Sequence, residues 1–160
     1  MSKHVAVIVG SLREGSYNRK LAQALVGLAP EGLDFSFVGT GDLPLHNPDL
    51  DEGDVPEAWT RFRKFVNAAD AVLFVTPEYN WSIPGGLKNA IDWLSRVSPN
   101  PMARKPVAVW SVSPGLLGGA RVHESLRQTL HCQEAVIMAK PEVQVAGARG
   151  KVDVETGTIT

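Results

Sequence analysis

Short apolar runs alternate with amphipathic segments along the chain, and the two kinds of segment predict strands and helices. Three runs have no polar alternation, as is typical of parallel strands covered on both faces: Val5–Val9, Ala71–Val75 and Val107–Trp110. Leu33–Val38 does alternate and predicts a more exposed strand. Ala135–Met138 predicts the start of a fifth strand, with Glu142–Val145 as a candidate continuation.

Apolar residues at helical spacing fill the intervals between these runs. The spacing i, i+3, i+4, i+7 is clearest at Leu87, Ala90, Ile91 and Leu94. Two further stripes have the same character: Leu21, Leu25 and Leu28, and Trp59, Phe62, Val66 and Ala69.

Two helix starts can also be predicted. Asp54 followed by Glu57 resembles a capping box, with Pro56 early in the first turn. Ser82 and Pro84 predict the second start.

The resulting order, β-α-β-α-β-α-β-α-β, predicts a doubly wound α/β fold with a five-stranded parallel sheet. The sequence has no internal repeat, so we expect residues 1–160 to form a single domain. Such a sheet usually ends with a helix, but Lys151–Thr160 is polar and turn-like. We therefore predict that a C-terminal helix is missing, either removed or replaced by another chain. Otherwise an apolar face of the sheet would lie open to water.

Composition narrows the functional class. A formal net charge of −1 over 160 residues gives no electrostatic reason to bind nucleic acid or an anionic membrane. Val5–Val9 is too short to cross a bilayer and is not followed by a signal-peptide cleavage region. Cys132 is the single cysteine, which excludes a disulfide framework within one chain. A cytoplasmic protein is the prediction.

The segment Gly10–Asn18, between the first strand and the first helix, has the features of a phosphate-binding loop. Such a loop directs backbone N–H groups and the positive end of a helix at one spot. Ser11, Ser16 and Asn18 add short polar side chains, and Arg13 adds charge. The Lys-Ser/Thr pair of triphosphate loops and the G-x-G-x-x-G dinucleotide fingerprint are both absent. A terminal monophosphate such as that of FMN fits best, the alternative being a polar loop that only caps a helix.

A second polar segment, Thr76–Gly86, follows the third strand. In strand order 2-1-3-4-5, strands one and three flank the topological switch point, so this segment and the first converge on one crevice. Pro77 and Pro84 stiffen the backbone for fixed hydrogen bonds to a flat polar ring edge. Tyr79 and Trp81 are placed to form a wall.

A third segment ends at the same edge of the sheet. Ser111–Gly115, with Gly118 and Gly119 at the next helix start, can close the far side of a ring-shaped ligand. The sequence has no G-x-S-x-G elbow, and its histidines lack metal-ligand spacing, so we predict no hydrolase nucleophile and no metal site.

Together, Gly10–Ala22 and Thr76–Arg96 resemble the two signatures of the NAD(P)H-dependent FMN reductase family, which includes quinone, chromate and azo-dye reductases. The resemblance extends from Val5 to about Val154. It implies a flavodoxin-like fold, bound FMN, NAD(P)H as cosubstrate, and a homodimer or homotetramer.

The resemblance also implies site residues. The FMN phosphate would be bound by Ser11, Arg13, Ser16 and Asn18, with Tyr17 beside them. The isoalloxazine ring would be lined by Pro77, Glu78, Tyr79 and Asn80, and closed on its other side by Ser113 and Gly115. Asp92, Trp93 and Arg96 are implied candidates for the subunit contact, with sheet packing as the alternative for Trp93. Trp81 stands where many relatives carry a smaller or tyrosine side chain, and we expect it to narrow or reshape the acceptor pocket.

The expected activity is a ping-pong transfer of electrons from NAD(P)H through FMN to a small-molecule acceptor such as a quinone, a flavin, chromate or an azo compound. We name no catalytic residue, because the cofactor carries the chemistry in such enzymes. Three alternatives stay open: a flavodoxin-type electron carrier, an FMN-binding regulatory protein without turnover, and a flavin-free phosphate-binding domain. The near-neutral charge and Arg13 count against a carrier, since such carriers are usually strongly acidic.

Overall fold

The computed structural model describes residues 2–51, 53, 55–153 and 158. The helices and strands of this part are β1 (Lys3–Val9), α1 (Tyr17–Val26), β2 (Leu33–Val38), α2 (Glu57–Ala68), β3 (Ala71–Val75), α3 (Gly85–Leu94), β4 (Pro106–Val112), α4 (Ala120–Cys132), β5 (Val136–Ile137) and β6 (Val143–Val145). Single turns of 3₁₀ helix lie at Pro48–Leu50 and Ala148–Gly150. The alternation of strand and helix is the one that the hydrophobic pattern predicts.

The strands form one parallel sheet in the order β2-β1-β3-β4-β5, which confirms the predicted doubly wound topology. Its centre is in register at Val9, Val75 and Trp110, which lie side by side on β1, β3 and β4. The carboxyl ends of the three central strands therefore meet at one edge of the sheet.

The predicted fifth strand is divided into two pieces. β5 pairs with the start of β4 at Pro106 and Val107, whereas β6 pairs with its end at Trp110–Val112. Pro141 lies between the two pieces and has no backbone N–H to donate, so a continuous ladder cannot pass through it. The candidate continuation over Glu142–Val145 is thus a separate strand beside β4.

One face of the sheet is covered by α2, α3 and α4. Its core contains the indole of Trp59, which stacks on that of Trp93 at 5.4 Å between ring centroids, together with Phe62, Ile91 and Leu126. The Lys105 ammonium closes the end of α2 by donating to the carbonyls of residues 66, 67 and 69 at 2.6–3.2 Å.

The opposite face is covered by α1 and by the turn at Ala148–Gly150, as far as the described residues extend. Beside α1 an open groove of about 710 Å³ crosses β2, β1, β3, β4 and β5 and is lined by apolar side chains such as Phe35, Leu73 and Ile137. Apolar side chains of the sheet thus lie open to this groove among the described residues, and the expectation of a missing C-terminal helix stays a prediction. Of the terminal segment Lys151–Thr160, positions 154–157, 159 and 160 lie outside the described residues.

Helix starts differ from the sequence-based prediction. α2 and α3 begin directly after Pro56 and Pro84, and neither has a side-chain cap. Ser82, which we expected to start α3, instead forms a reverse turn with Tyr79. Asp54, the other proposed cap, lies outside the described residues. None of the described helices is both long and apolar enough to span a membrane.

Candidate functional site

Three loops leave the carboxyl ends of neighbouring strands and define the candidate site. We call them the first loop (Gly10–Ser16, after β1), the second loop (Thr76–Pro84, after β3) and the third loop (Ser113–Gly119, after β4). The backbone fixes where they start: Gly10 N–H donates to Val75 at 2.9 Å, and Thr76 N–H donates to Trp110 at 3.0 Å. The first two loops therefore rise side by side at the switch point of the sheet.

The first loop has several backbone N–H groups that donate to no acceptor among the described residues. Ser16 is the N-cap of α1, and its Oγ accepts from the N–H of Arg19 at 3.3 Å. The hydrogen bonds of the described residues leave other N–H groups here without an acceptor, including those of Leu12, Glu14, Gly15, Ser16, Tyr17 and Asn18. Unpaired N–H groups at a helix N-terminus bind anions well, because the helix dipole adds a positive potential to them.

Gly10 allows the first loop to lie close to the second. A Cβ atom at this position would be 2.2 Å from Thr76 Oγ1 and 3.0 Å from a methyl carbon of Leu87. Any side chain would push the ends of β1 and β3 apart, so glycine here sets the width of the site.

The second loop contains a tight reverse turn. Tyr79 and Ser82 exchange two backbone hydrogen bonds of 3.1 and 3.0 Å, and Asn80 and Trp81 between them both have positive φ angles, 49° and 66°. A tryptophan in this region is uncommon and costs energy, and such strain is found mainly at functional sites. The turn leaves the Tyr79 ring half exposed beside the first loop.

Between the two loops lies the site crevice, an open volume of about 320 Å³. It is lined by Gly10, Leu12, Arg13, Tyr79, Pro84, Gly85 and Gly86. A Cβ added at Gly85 would meet no atom within 4 Å, so this wall is bare backbone facing open space. A flat group can lie against such a wall, with an anionic end on the donors of the first loop. These features fit FMN.

The Glu78 carboxylate binds the start of α4 and not a group in the crevice. Its Oε2 accepts from the N–H groups of Arg121 at 2.9 Å and Val122 at 3.2 Å, which are the first free donors of α4. The Arg121 guanidinium lies 3.9 Å from the other carboxylate oxygen and 4.3 Å from the centre of the Trp81 ring. The backbone of Glu78 stays available to a ligand, whereas its carboxylate joins the second loop to α4.

Trp81 does not line the site crevice, and our expectation that it narrows or reshapes the acceptor pocket stays a prediction. Its ring packs against Arg121 and is 70% exposed.

Asn18 also has a scaffolding contact that the sequence did not reveal. Its amide is buried and pairs with the backbone of Val112 in both directions, each hydrogen bond being 3.1 Å long. The side chain that we expected to contact a phosphate therefore ties the start of α1 to the end of β4. The Asn18 backbone N–H is the group that faces the anion-binding end of the helix.

The other predicted phosphate residues occupy the first loop. Ser11 and Ser16 are buried, with Ser11 Oγ accepting a long bond of 3.4 Å from the N–H of Arg13. Arg13 is exposed at the crevice, and Tyr17, the first residue of α1, is partly buried directly after the loop.

The third loop is hydrogen-bonded to the end of β6 and to the segment after it. Ser113 N–H donates to Val145 at 3.0 Å, and Gly147 N–H donates to Gly115 at 3.1 Å. Ser113 and Gly115 do not line the site crevice, which is formed by the first two loops and the start of α3. Leu12 and Gly86, by contrast, line it although the sequence assigned them no role; both lie within the two signature segments.

The candidates for a subunit contact are engaged within this chain. Trp93 is fully buried and its Nε1–H donates to Pro44 at 2.8 Å, so it belongs to the core. Arg96 pairs with Asp51 at 3.0 Å, and Asp92 pairs with Lys88 one turn before it at 2.6 Å. Among the described residues, no group of three or more acidic, histidine or cysteine side chains is placed to hold a metal ion.

Comparisons with known proteins identify the family of this chain. The family model described as NADPH-dependent FMN reductase matches residues 4–150. A quinone reductase from Pseudomonas putida is 51% identical over 150 residues, which is 93% of this chain and 81% of that protein. A quinone reductase from Escherichia coli K12 is 41% identical over 157 residues, or 97% and 84% of the two chains.

A solved structure is similar over almost the entire chain. The flavoenzyme NAD(P)H:acceptor oxidoreductase FerB from Paracoccus denitrificans aligns with a TM-score of 0.89 and 42% identity, covering 99% of this chain and 86% of that one. The chain is an oxidoreductase with FMN as cofactor and NAD(P)H as electron donor, and it belongs to the NADPH-dependent FMN reductase family.

Proposed function

We propose that the chain reduces quinones with NAD(P)H, and that FMN lies in the site crevice with its phosphate on the first loop. The observation that carries the proposal is the crevice itself. It joins a loop rich in unpaired N–H donors to a bare-backbone wall and a half-exposed tyrosine. Relatives that are 41–52% identical are named quinone reductases, which supports the acceptor class.

Each part of the crevice has a proposed task. The N–H groups of the first loop, with Ser11, Ser16 and the Arg13 guanidinium, would hold the phosphate. Pro77 and the backbone of Glu78, Tyr79 and Asn80 would hold one edge of the ring, and Ser113 and Gly115 would approach from the far side. FMN, when bound, accepts a hydride from NAD(P)H and delivers two electrons to the acceptor.

The protein's own contribution is positioning. The crevice is open to solvent on one side, so a nicotinamide or a quinone can in turn lie against the same exposed face. We therefore propose a ping-pong order, in which the oxidised nucleotide leaves before the acceptor binds. The quinone takes up two electrons and two protons to become a quinol, the second proton coming from solvent. Fixed orientation of the reacting groups is the expected source of rate.

Steady-state kinetics with a soluble benzoquinone test this order. Rates measured over a grid of NADPH and quinone concentrations should give parallel double-reciprocal lines. Intersecting lines would show that both substrates bind together and would contradict the ping-pong order. If the protein oxidised no NADPH but, once reduced by dithionite, passed its electrons to a cytochrome, it would instead be an electron carrier.

We also propose that residues 1–160 work as one FMN-binding domain in a cytoplasmic homodimer or homotetramer. The cytoplasm holds the NAD(P)H that the reaction consumes. Large apolar side chains exposed on the first and third loops, Leu12 and Leu116, support an association of subunits near the site. Light scattering of the purified protein tests the oligomeric state, and a monomer at micromolar concentration would contradict it.

A further inference from the structure

His123, in the first turn of α4, makes a buried contact that the proposed reaction does not use. Its Nε2 lies 2.9 Å from Ser111 Oγ, and the two residues are 3% and 0% exposed. Ser111 Oγ also lies 2.6 Å from the carbonyl oxygen of Gly118 in the third loop. The three groups form a chain from α4, through the end of β4, to the loop.

The direction of each hydrogen bond follows from counting protons. A carbonyl oxygen only accepts, so the single hydroxyl proton of Ser111 goes to Gly118. His123 must then donate to Ser111 Oγ, which places the imidazole proton on Nε2. The other nitrogen, Nδ1, is buried and has no hydrogen-bond partner among the described residues. Burial lowers the pKa of His123, as does the charge of Arg127, while Glu142 opposes them; the neutral ring therefore persists at neutral pH.

The loop passes directly over Ser111. A Cβ atom at Gly119 would lie 2.9 Å from both Cβ and Oγ of Ser111, and Gly118 and Gly119 have positive φ angles of 60° and 88°. These two glycines set the path from the third loop into α4. A hydroxyl that anchors the Gly118 carbonyl therefore fixes the part of this path that glycine adopts more readily than other residues.

The same first turn of α4 also supports the second loop. Arg121 and Val122 donate to the Glu78 carboxylate from this turn, and His123 follows them directly. A shift of the turn would move the second and third loops together, so a residue that fixes it acts on both sides of the site.

We propose that His123 is a positioning residue: by donating to Ser111 it fixes the third loop and the start of α4, and thereby the affinity of the site for FMN. The effect on FMN rests on the proposed function, because it needs the cofactor to lie against these loops. The effect on the third loop does not depend on the proposed function.

The variants His123→Gln, His123→Leu and Ser111→Ala separate this role from general packing. Glutamine can present its amide N–H where Nε2–H lies, whereas leucine fills similar space without a donor. His131→Leu is the matched control, because His131 is exposed at the other end of the same helix. Circular dichroism first establishes that each variant is folded.

Hydrogen exchange and FMN titration are then measured on each variant. Amides of the third loop should exchange about tenfold faster in His123→Leu and Ser111→Ala than in the wild type, and near the wild-type rate in His123→Gln and His131→Leu. The FMN dissociation constant, from quenching of flavin fluorescence, should rise about fivefold or more in His123→Leu and in Ser111→Ala. A double variant that combines His123→Leu with Ser111→Ala should have an FMN dissociation constant no higher than that of the more affected single variant.

Two results would overturn the proposal: wild-type loop exchange in a folded His123→Leu protein, or a glutamine variant as impaired as the leucine one. Faster loop exchange with unchanged FMN affinity in both variants would overturn the link to the cofactor. If the wild type itself bound no FMN, the proposed function would fail, while loop exchange would still decide the role of His123.

Discussion

The carboxylate of Glu78 lies 2.9 Å from the backbone N–H of Arg121 and accepts its hydrogen bond, although the two residues are 43 positions apart. The side chain thereby caps α4 from another loop, in place of the local side-chain cap that this helix lacks. A carboxylate at a helix N-terminus is stabilised by the helix dipole as well as by the hydrogen bonds. The link makes the second loop and the start of α4 one rigid unit beside the crevice.

Replacing Glu78 should therefore weaken both stability and cofactor binding. We expect Glu78→Ala to lower the free energy of unfolding by about 1–3 kcal/mol, because two backbone N–H groups at the start of α4, one exposed and one partly buried, lose their acceptor. Glu78→Gln should cost less, since one amide oxygen still accepts. Urea denaturation measures the free energy of unfolding of both variants. The control is Glu124→Ala, because Glu124 is an exposed glutamate of α4. Equal effects of alanine at positions 78 and 124 would show that the cap contributes nothing.

Gly10 should not tolerate a side chain. The added Cβ of Gly10→Ala would lie 2.2 Å from Thr76 Oγ1, so β1 and β3 must separate. We expect a loss of about 1–3 kcal/mol in the free energy of unfolding, together with weaker FMN binding. Gly39→Ala is the control, because a Cβ there meets nothing within 4 Å. An unchanged midpoint for Gly10→Ala in thermal denaturation would contradict the close approach of the two loops.

Arg13 should contribute to binding of the phosphate and not of the ring. We expect Arg13→Ala to raise the dissociation constant for FMN about tenfold, because a charge-assisted hydrogen bond is lost. Riboflavin, which has no phosphate, should bind both proteins equally. Arg63→Ala, an exposed arginine of α2, is the control. Equal losses of FMN and riboflavin affinity would place Arg13 elsewhere than at the phosphate.

Stability should depend on pH through His123. Burial lowers the pKa of His123 below its ordinary value of 6.5, so below pH 6.5 the unfolded chain binds more protons than the folded one. The contribution of the neutral ring is fully present above pH 6.5 and is lost as the pH falls from there through the folded pKa. The free energy of unfolding of the wild type should decline more steeply on acidification than that of His123→Gln. Parallel pH profiles of the two proteins would contradict this burial effect.

Much of the fold could be predicted because it depends on local patterns. The apolar run Ala71–Val75 is β3 to the residue, and the stripe from Leu87 to Leu94 lies in α3 and is buried.

The missed features depend on partners that are distant in the chain. The Asn18 amide bonds Val112 at a separation of 94 residues, and only the folded sheet brings the two together. The sequence indicated that Asn18 is polar and close to a helix start. Such a residue can contact a phosphate, and it can equally hydrogen-bond a neighbouring strand. Trp93 has a similar ambiguity, because an aromatic residue on a helix can lie at a subunit interface or in the core. Its stacking on Trp59 shows that it belongs to the core.

The most direct test of hydride transfer at this site is an anaerobic titration of the FMN-loaded protein with NADPH, followed at the blue absorbance band of the flavin. We expect fast loss of this band with one equivalent of NADPH, and its recovery when one equivalent of benzoquinone is added. A tightly bound flavin that stays oxidised with excess NADPH and with excess NADH would contradict hydride transfer at this site.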